Sequence, residues 1–231
     1  PFDVPTTRAI MALRANVLML GSSGVRPEVP VQLVAMLNAG IYPVIPEKGS
    51  VGASGDLAPL AHLALGLIGE GDVLVDNERQ PASEALDAAG LMPLTLEAKE
   101  GLALINGTQA MTADAALVCH RAANLSKVAD IVGAASVQAL LGSRTPFDSR
   151  IHAARGHSGQ IASAENMRTL CAESEIIESH HGCEKVQDPY SLRCIPQVHG
   201  ASRDVFTHVI GVVDRECNAA TDNPLVFLNS Q

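Results

Sequence analysis

Residues 49–60 read Gly-Ser-Val-Gly-Ala-Ser-Gly-Asp-Leu-Ala-Pro-Leu, and the tripeptide Ala53-Ser54-Gly55 inside them can make an electrophile that no ordinary side chain supplies. The amide nitrogen of Gly55 can attack the carbonyl carbon of Ala53 and close a five-membered ring. Loss of water, with elimination of the Ser54 hydroxyl, leaves an exocyclic methylene conjugated to that ring, a methylidene-imidazolone (4-methylidene-imidazol-5-one). Ser54 supplies the leaving hydroxyl. Gly55 has no Cβ, so the backbone can fold tightly enough for its nitrogen to reach Ala53, and Gly52 loosens the entry in the same way. Asp56 is placed to cap a helix starting on the apolar run that follows, with Pro59 tolerable in its first turn. A ring just before a helix N-terminus would have its developing negative charge stabilised by the dipole and the free N–H groups. Taken alone, Ala-Ser-Gly is also a common loop tripeptide, so its neighbours must decide.

Two other stretches carry residue types suited to chemistry. In Leu104-Ile105-Asn106-Gly107-Thr108-Gln109 the Asn-Gly step breaks a short helix from a long one, and Asn106 reads first as an N-cap. In Gln187-Asp188-Pro189-Tyr190-Ser191-Leu192-Arg193, Tyr190 and Arg193 share a face if the segment turns helically. A guanidinium grips a carboxylate through two parallel N–H bonds, which suits an amino acid, and a Tyr hydroxyl can position a group or relay a proton. The plain alternative is a surface Arg beside a half-buried Tyr. His180-His181-Gly182-Cys183 matches no standard zinc spacing, so no metal is expected. His62 reads as a core histidine, and His199 and His208 as facing solvent or a partner.

These residues need elements to hold them. Thr6 or Thr7 can cap a helix carrying Ile10, Leu13, Val17 and Leu20, stopped by Gly21-Ser22-Ser23-Gly24. A second helix follows Pro27 with Val31, Val34 and Leu37 on its apolar face and ends near Asn38-Ala39-Gly40. Tyr42-Pro43-Val44-Ile45-Pro46 cannot be helical and leads stiffly into the Ala-Ser-Gly loop. Residues 57–69 are apolar on nearly every side, which predicts a buried helix. Val73-Leu74-Val75 before Asp76-Asn77 predicts a small hairpin, and Ser83 starts a short helix ending near Gly90. A long Ala-rich helix is expected from about Thr108 to Leu141, and a last one from about Gln197 to Cys217. Between them, residues 143–160 read as loop with a short helix and 172–196 as irregular. A helix that long needs neighbours of similar length, so the fold class is mainly α, a bundle of long helices with an irregular face bearing the loop. Residues 1–231 read as a single helical domain.

Bulk composition sets bounds. The 231 residues are 47% hydrophobic and 18% charged, enough for a sizeable core and unlike a disordered chain. With 3% aromatics and no Trp, that core must be aliphatic. A net charge of -9 without a Lys/Arg cluster argues against nucleic acid. No apolar stretch approaches membrane-spanning length, and no signal peptide is evident. Five cysteines with no Cys-x-x-Cys pair fit a reduced, cytoplasmic protein. The absence of an initial Met, and a last segment that reads as leading onward, suggest a fragment.

Gly49 through His62 resembles the signature of the aromatic amino acid ammonia-lyases, the histidine ammonia-lyases in particular. Lys99-Glu100-Gly101-Leu102-Ala103-Leu104-Ile105-Asn106-Gly107-Thr108 and Gln187-Asp188-Pro189-Tyr190-Ser191-Leu192-Arg193 resemble two more blocks of that family, in family order. Residues 143–152 and 156–160 also resemble it, with no chemistry assigned. The resemblance implies an ammonia-lyase/fumarase-like fold and an autocatalytic methylidene-imidazolone from Ala53-Ser54-Gly55, with no external cofactor. It implies elimination of ammonia from L-histidine to give urocanate, a step of histidine catabolism, in a cytoplasmic homotetramer. Arg193 would bind the substrate carboxylate, Tyr190 and Gln187 would line the pocket near the ring, and Asn106 would hydrogen-bond substrate or ring. Tyrosine or phenylalanine lyases, and aminomutases using the same ring, stay open, as does a non-catalytic helical scaffold. The family's catalytic base and side-chain-reading block would precede Pro1 and further pocket residues would follow Gln231, which predicts little activity for this chain alone. If those segments supply the strain that cyclisation needs, Ala53-Ser54-Gly55 stays an open peptide here.

Overall fold

A computed structural model describes residues 1–52 and 55–227. The chain divides into two compact units, one of residues 1–117 with 213–231 and the other of residues 118–212.

In the first unit, α1 (Val4–Met19) starts at Asp3, whose carboxylate accepts the Thr6 N–H at 2.9 Å. The expected cap at Thr6 or Thr7 is therefore displaced: both lie inside the helix, because Pro5 sits comfortably in a first turn and leaves Asp3 as the nearest acceptor. Leu20 falls just outside α1 and is exposed. Helix α2 (Glu28–Asn38) follows Pro27 as expected but buries Val29, Leu33 and Met36, whereas Val31 and Val34 are exposed. Its sequence is apolar nearly all round, so spacing alone offered two faces and packing chose the other.

A three-stranded antiparallel sheet is formed by β1 (Tyr42–Pro43), β2 (Asp72–Val75) and β3 (Glu78–Pro81) in that order. Asp76 and Asn77 both have positive φ (50° and 66°), as a tight two-residue hairpin turn requires. Between β1 and β2 lies α3 (Leu57–Leu67), which buries Leu60, Leu63 and Leu67. It is not buried on every side: Leu57 and His62 are exposed, so the core-histidine reading of His62 is corrected. After α4 (Ala82–Ala88), α5 (Glu100–Ile105) leads into α6 (Gln109–Ala139). Each fully buried Leu or Ile of this aliphatic core, such as Ile10, Leu33, Leu60 or Leu104, contributes about 1.5–3 kcal/mol.

The second unit takes up α6 at Val118 and contains a 3-10 turn over Thr145–Phe147, α7 (Ser149–Arg155), α8 (Ser158–Leu170), α9 (Glu175–Glu178), α10 (Tyr190–Arg193) and most of α11 (Ile195–Cys217). Its core gathers Val137, Phe147, Met167, Cys171, Ile177 and Ile195. Residues 143–160 hold more helix than expected, because Asp148 caps α7 by accepting the Arg150 N–H. His199 is not left to solvent: its Nδ1 lies 2.8 Å from the buried carboxylate of Asp130. No helix among the described residues is long and apolar enough to cross a membrane.

Candidate active site

Ala53 and Ser54 lie outside the described residues; what can be described is how the chain enters and leaves them. Gly55 has φ +87°, and a Cβ built on it would lie 2.6 Å from the carbonyl oxygen of Gly107. No side chain fits there, in conformation or in space. The next residue, Asp56, is fully buried. Its N–H donates to Gly107 O at 2.7 Å.

Asp56 occupies the N-cap position of α3, but its side chain bonds no N–H of that helix. Its Oδ1 instead accepts the Ser50 hydroxyl, and Oδ2 accepts the Met111 N–H at 2.8 Å. Met111 is the third residue of α6, so this carboxylate satisfies one of the free amides at the N-terminus of a different helix. One buried carboxylate thus ties the entry of the loop, its exit and the start of α6 together. These flanks fit a ring built from Ala53-Ser54-Gly55: the exit residue must lack a Cβ, and the backbone that follows it is held against Gly107.

Asn106 is the C-cap of α5, not the N-cap of α6. The Met111 N–H in the first turn of α6 is served by Asp56, and the Asn106 Nδ2 donates to Asn223 O at 2.9 Å. Asn106, Gly107 and Gly55 are brought together within the first unit.

Gln187, Tyr190 and Arg193 belong to the second unit. Tyr190 opens α10 and Arg193 closes it, and the guanidinium stacks over the Tyr190 ring at 4.5 Å from its centroid, as the three-residue spacing predicts. Gln187 and Arg193 line a cleft of about 1000 Å³ together with Arg144, Arg168, Lys185 and Gln197. Arg193 makes no ion pair among the described residues, and its Nε, like Gln197 Oε1, is buried without a partner. By contrast Arg144 is paired with Glu178 and Arg150 with Asp148, which holds the Asp148 carboxyl down at about 2. The segment is anchored by buried Asp188, which accepts the Ser143 N–H at 2.7 Å. Among the described residues no cluster of His, Cys, Asp and Glu could hold a metal.

Sequence reasoning missed the bonds of Asp56 to Ser50 and Met111, and it missed Gly107 as the surface against which the loop exit rests. It also missed Arg14, which is fully buried and paired with Asp222 at 2.6 Å. A signal existed, since Arg14 falls on the same face of α1 as Ile10, Val17 and Leu18.

The architecture is that of the helical ammonia-lyases. Histidine ammonia-lyase from Trypanosoma cruzi superposes on 98% of this chain with a TM-score of 0.88 at 43% identity, over 42% of its own length. Tyrosine aminomutase from Streptomyces globisporus superposes on all of it with a TM-score of 0.89 at 42% identity, over 47% of its length. The family model described as aromatic amino acid lyase matches residues 1–231, and the chain belongs to that family. Histidine ammonia-lyase from Stigmatella aurantiaca is 54% identical over 231 residues, all of this chain and 45% of that protein. The chain thus spans about half the length of the curated relatives it matches.

Proposed function

We propose that the polypeptide carrying these residues eliminates ammonia from L-histidine to give urocanate. The observation that carries the reading is Arg193, a cation with no ion-pair partner and an unsatisfied buried Nε among the described residues, facing a cleft beside Gln187. An α-carboxylate would satisfy it bidentately. Histidine is favoured among aromatic amino acids by whole-chain identity of 54% to a histidine ammonia-lyase.

The methylidene-imidazolone formed from Ala53-Ser54-Gly55 would supply the electrophile in this reading. Gly55 and Asp56, fixed against Gly107, hold the backbone that bears it. Arg193 orients the substrate through its carboxylate, and Tyr190, whose ring stacks with the guanidinium, positions a group or relays a proton in this reading. Asn106 and Gln187 offer amide hydrogen bonds to the substrate. Residues 1–231 serve as one helical portion of the catalytic chain. Five free cysteines support a reducing, cytoplasmic setting, and exposed apolar helix faces support a homo-oligomer.

The test is steady-state kinetics on the complete polypeptide with L-histidine, L-tyrosine and L-phenylalanine, monitoring both the unsaturated acid and any β-amino acid. Histidine is expected to give the highest kcat/KM. Arg193→Met should lower kcat/KM by about 1.5–3 kcal/mol, roughly tenfold to over a hundredfold, for one charge-assisted carboxylate contact. A preference for tyrosine or phenylalanine, or a β-amino acid product, would replace the histidine reading with a related lyase or aminomutase. A chain with no near-ultraviolet ring absorbance and no borohydride sensitivity would be a helical scaffold.

A further inference from the structure

Arg14 is wholly buried, and its neighbours are not those of a salt bridge kept for stability. Nη2 donates to Asp222 Oδ1 at 2.6 Å, and Nη1 donates to Gln109 Oε1 at 2.6 Å. Among the described residues, Arg14 Nε and Asp222 Oδ2 are buried without partners. Burial pulls the guanidinium below its ordinary pKa more strongly than Asp222 pushes it up. Buried ion pairs of this kind are often matched or bettered by apolar residues of similar size, so what the pair specifies matters more than what it stabilises.

It specifies the place of Gly107. A Cβ on Gly107 would overlap Arg14 Nη1 and Gln109 Oε1, so the Arg14–Gln109 pair packs directly against the glycine. Beyond it, the Gly107 carbonyl accepts the Asp56 N–H and lies against the backbone of Gly55. The turn is also strapped from residues 216–223: Asn106 Nδ2 donates to Asn223 O, Thr108 Oγ1 to Glu216 Oε1 at 2.7 Å, and Gln109 Nε2 to Thr221 Oγ1 at 2.8 Å. Arg14 joins the two sides of this strap, one nitrogen on residue 109 and another on residue 222.

We propose that Arg14 is a positioning residue for the Ala53-Ser54-Gly55 loop: through Gln109 and Asp222 it sets Gly107, and Gly107 sets the backbone of Gly55 and Asp56. The role rests on the lyase reading of that loop. The planar fork of an arginine suits it, because its two Nη atoms reach acceptors on separate segments at once in a fixed geometry, whereas a lysine offers one nitrogen on a flexible stem.

The decisive measurement is amide hydrogen exchange on the 231-residue chain, which needs neither a closed ring nor turnover. In Arg14→Lys and Arg14→Met, the Asp56 and Met111 amides should exchange at least about tenfold faster, while α3 amides such as Leu63 and Leu67 keep their rates. Gln109→Met removes one acceptor at similar volume and should show the same local pattern; it decides the matter if an Arg14 variant fails to fold. Unchanged rates at Asp56 and Met111, or equal acceleration at every amide, would overturn the proposal. In the complete polypeptide, the same variants should carry less ring per chain, read as the mass of two retained waters. Local exchange as expected with no histidine turnover would sink the function and spare the positioning role.

Discussion

Glu100 shows how much one side chain near the site can carry. It opens α5, the helix that ends at Asn106, and its carboxylate is almost wholly buried. It accepts from the Arg26 N–H, from Arg26 Nε and Nη2, and from the Glu97 N–H. Those bonds, Arg26's side chain first, hold its carboxyl down at about 2 from an ordinary 4.5. The folded value lies below the unfolded one, so the stabilisation is complete above the ordinary carboxylate range and disappears as pH falls from 4.5 towards about 2. With allowance for the partial exposure of Arg26, it amounts to on the order of 2 kcal/mol. Glu100→Gln should therefore lower the free energy of urea unfolding by about 2 kcal/mol at pH 7, with the gap closing as pH approaches the folded value. An equal gap at both ends of that range would show packing, not charge, at work. At this scale the sequence was legible where a residue's role is local. Tyr190 and Arg193 meet because their spacing puts them one helical turn apart. It was not legible where a side chain bonds a distant segment: Asp56 reads as an α3 cap and serves α6, Asn106 reads as an α6 cap and bonds Asn223, and His199 reads as facing solvent or a partner and meets Asp130.

At the scale of elements, the second unit depends on one close helix approach. Gly159 at the start of α8 and Gly200 in α11 face each other so tightly that a Cβ on Gly159 would overlap the Gly200 carbonyl, and one on Gly200 would overlap the backbone of Gln160. The approach lets Asp204 of α11 accept the Gly159 N–H at 2.8 Å and the Ser158 hydroxyl at 3.0 Å, capping α8, whose own N-cap His157 supplies no side-chain bond. Backbone cannot yield as a side-chain tip can. Gly200→Ala should therefore lose roughly 1–3 kcal/mol to overpacking, outweighing a helix-propensity gain of at most about 1. Gly133 in α6 is the control: its Cβ would meet Ile195 Cδ1 at an ordinary 3.4 Å, so Gly133→Ala should be neutral or stabilising by up to about 1 kcal/mol. Thermal unfolding of the two variants checks the contrast, and equal shifts would remove the case for a helix contact at Gly200. The positions of the long helices and the hairpin were readable from periodicity and turn residues. Their faces were less so, as α2 shows: where nearly every residue is apolar, the pattern marks a helix but does not orient it.

At the scale of the whole molecule, what stands out is apolar surface left uncovered in regular array. On α6, Val118, Leu125 and Val132 are exposed and spaced seven apart, with Val128 between the last two. On α11, Val198, Val205 and Val212 repeat the spacing, with Val209 between the last two. A seven-residue apolar repeat is the seam along which long helices pack against other helices, and stripes of this extent on a lone chain favour association. The chain should therefore sediment as a concentration-dependent oligomer. A charge at the centre of a seam costs an association far more than it costs a helix already facing water. Leu125→Glu with Val205→Glu should then shift the distribution to monomer while far-ultraviolet helicity stays within error, and the unfolding midpoint should lose its dependence on concentration. If the unaltered chain runs as a monomer across the accessible concentration range, the seams do not drive self-association. If both forms associate equally, the contact lies elsewhere on the surface.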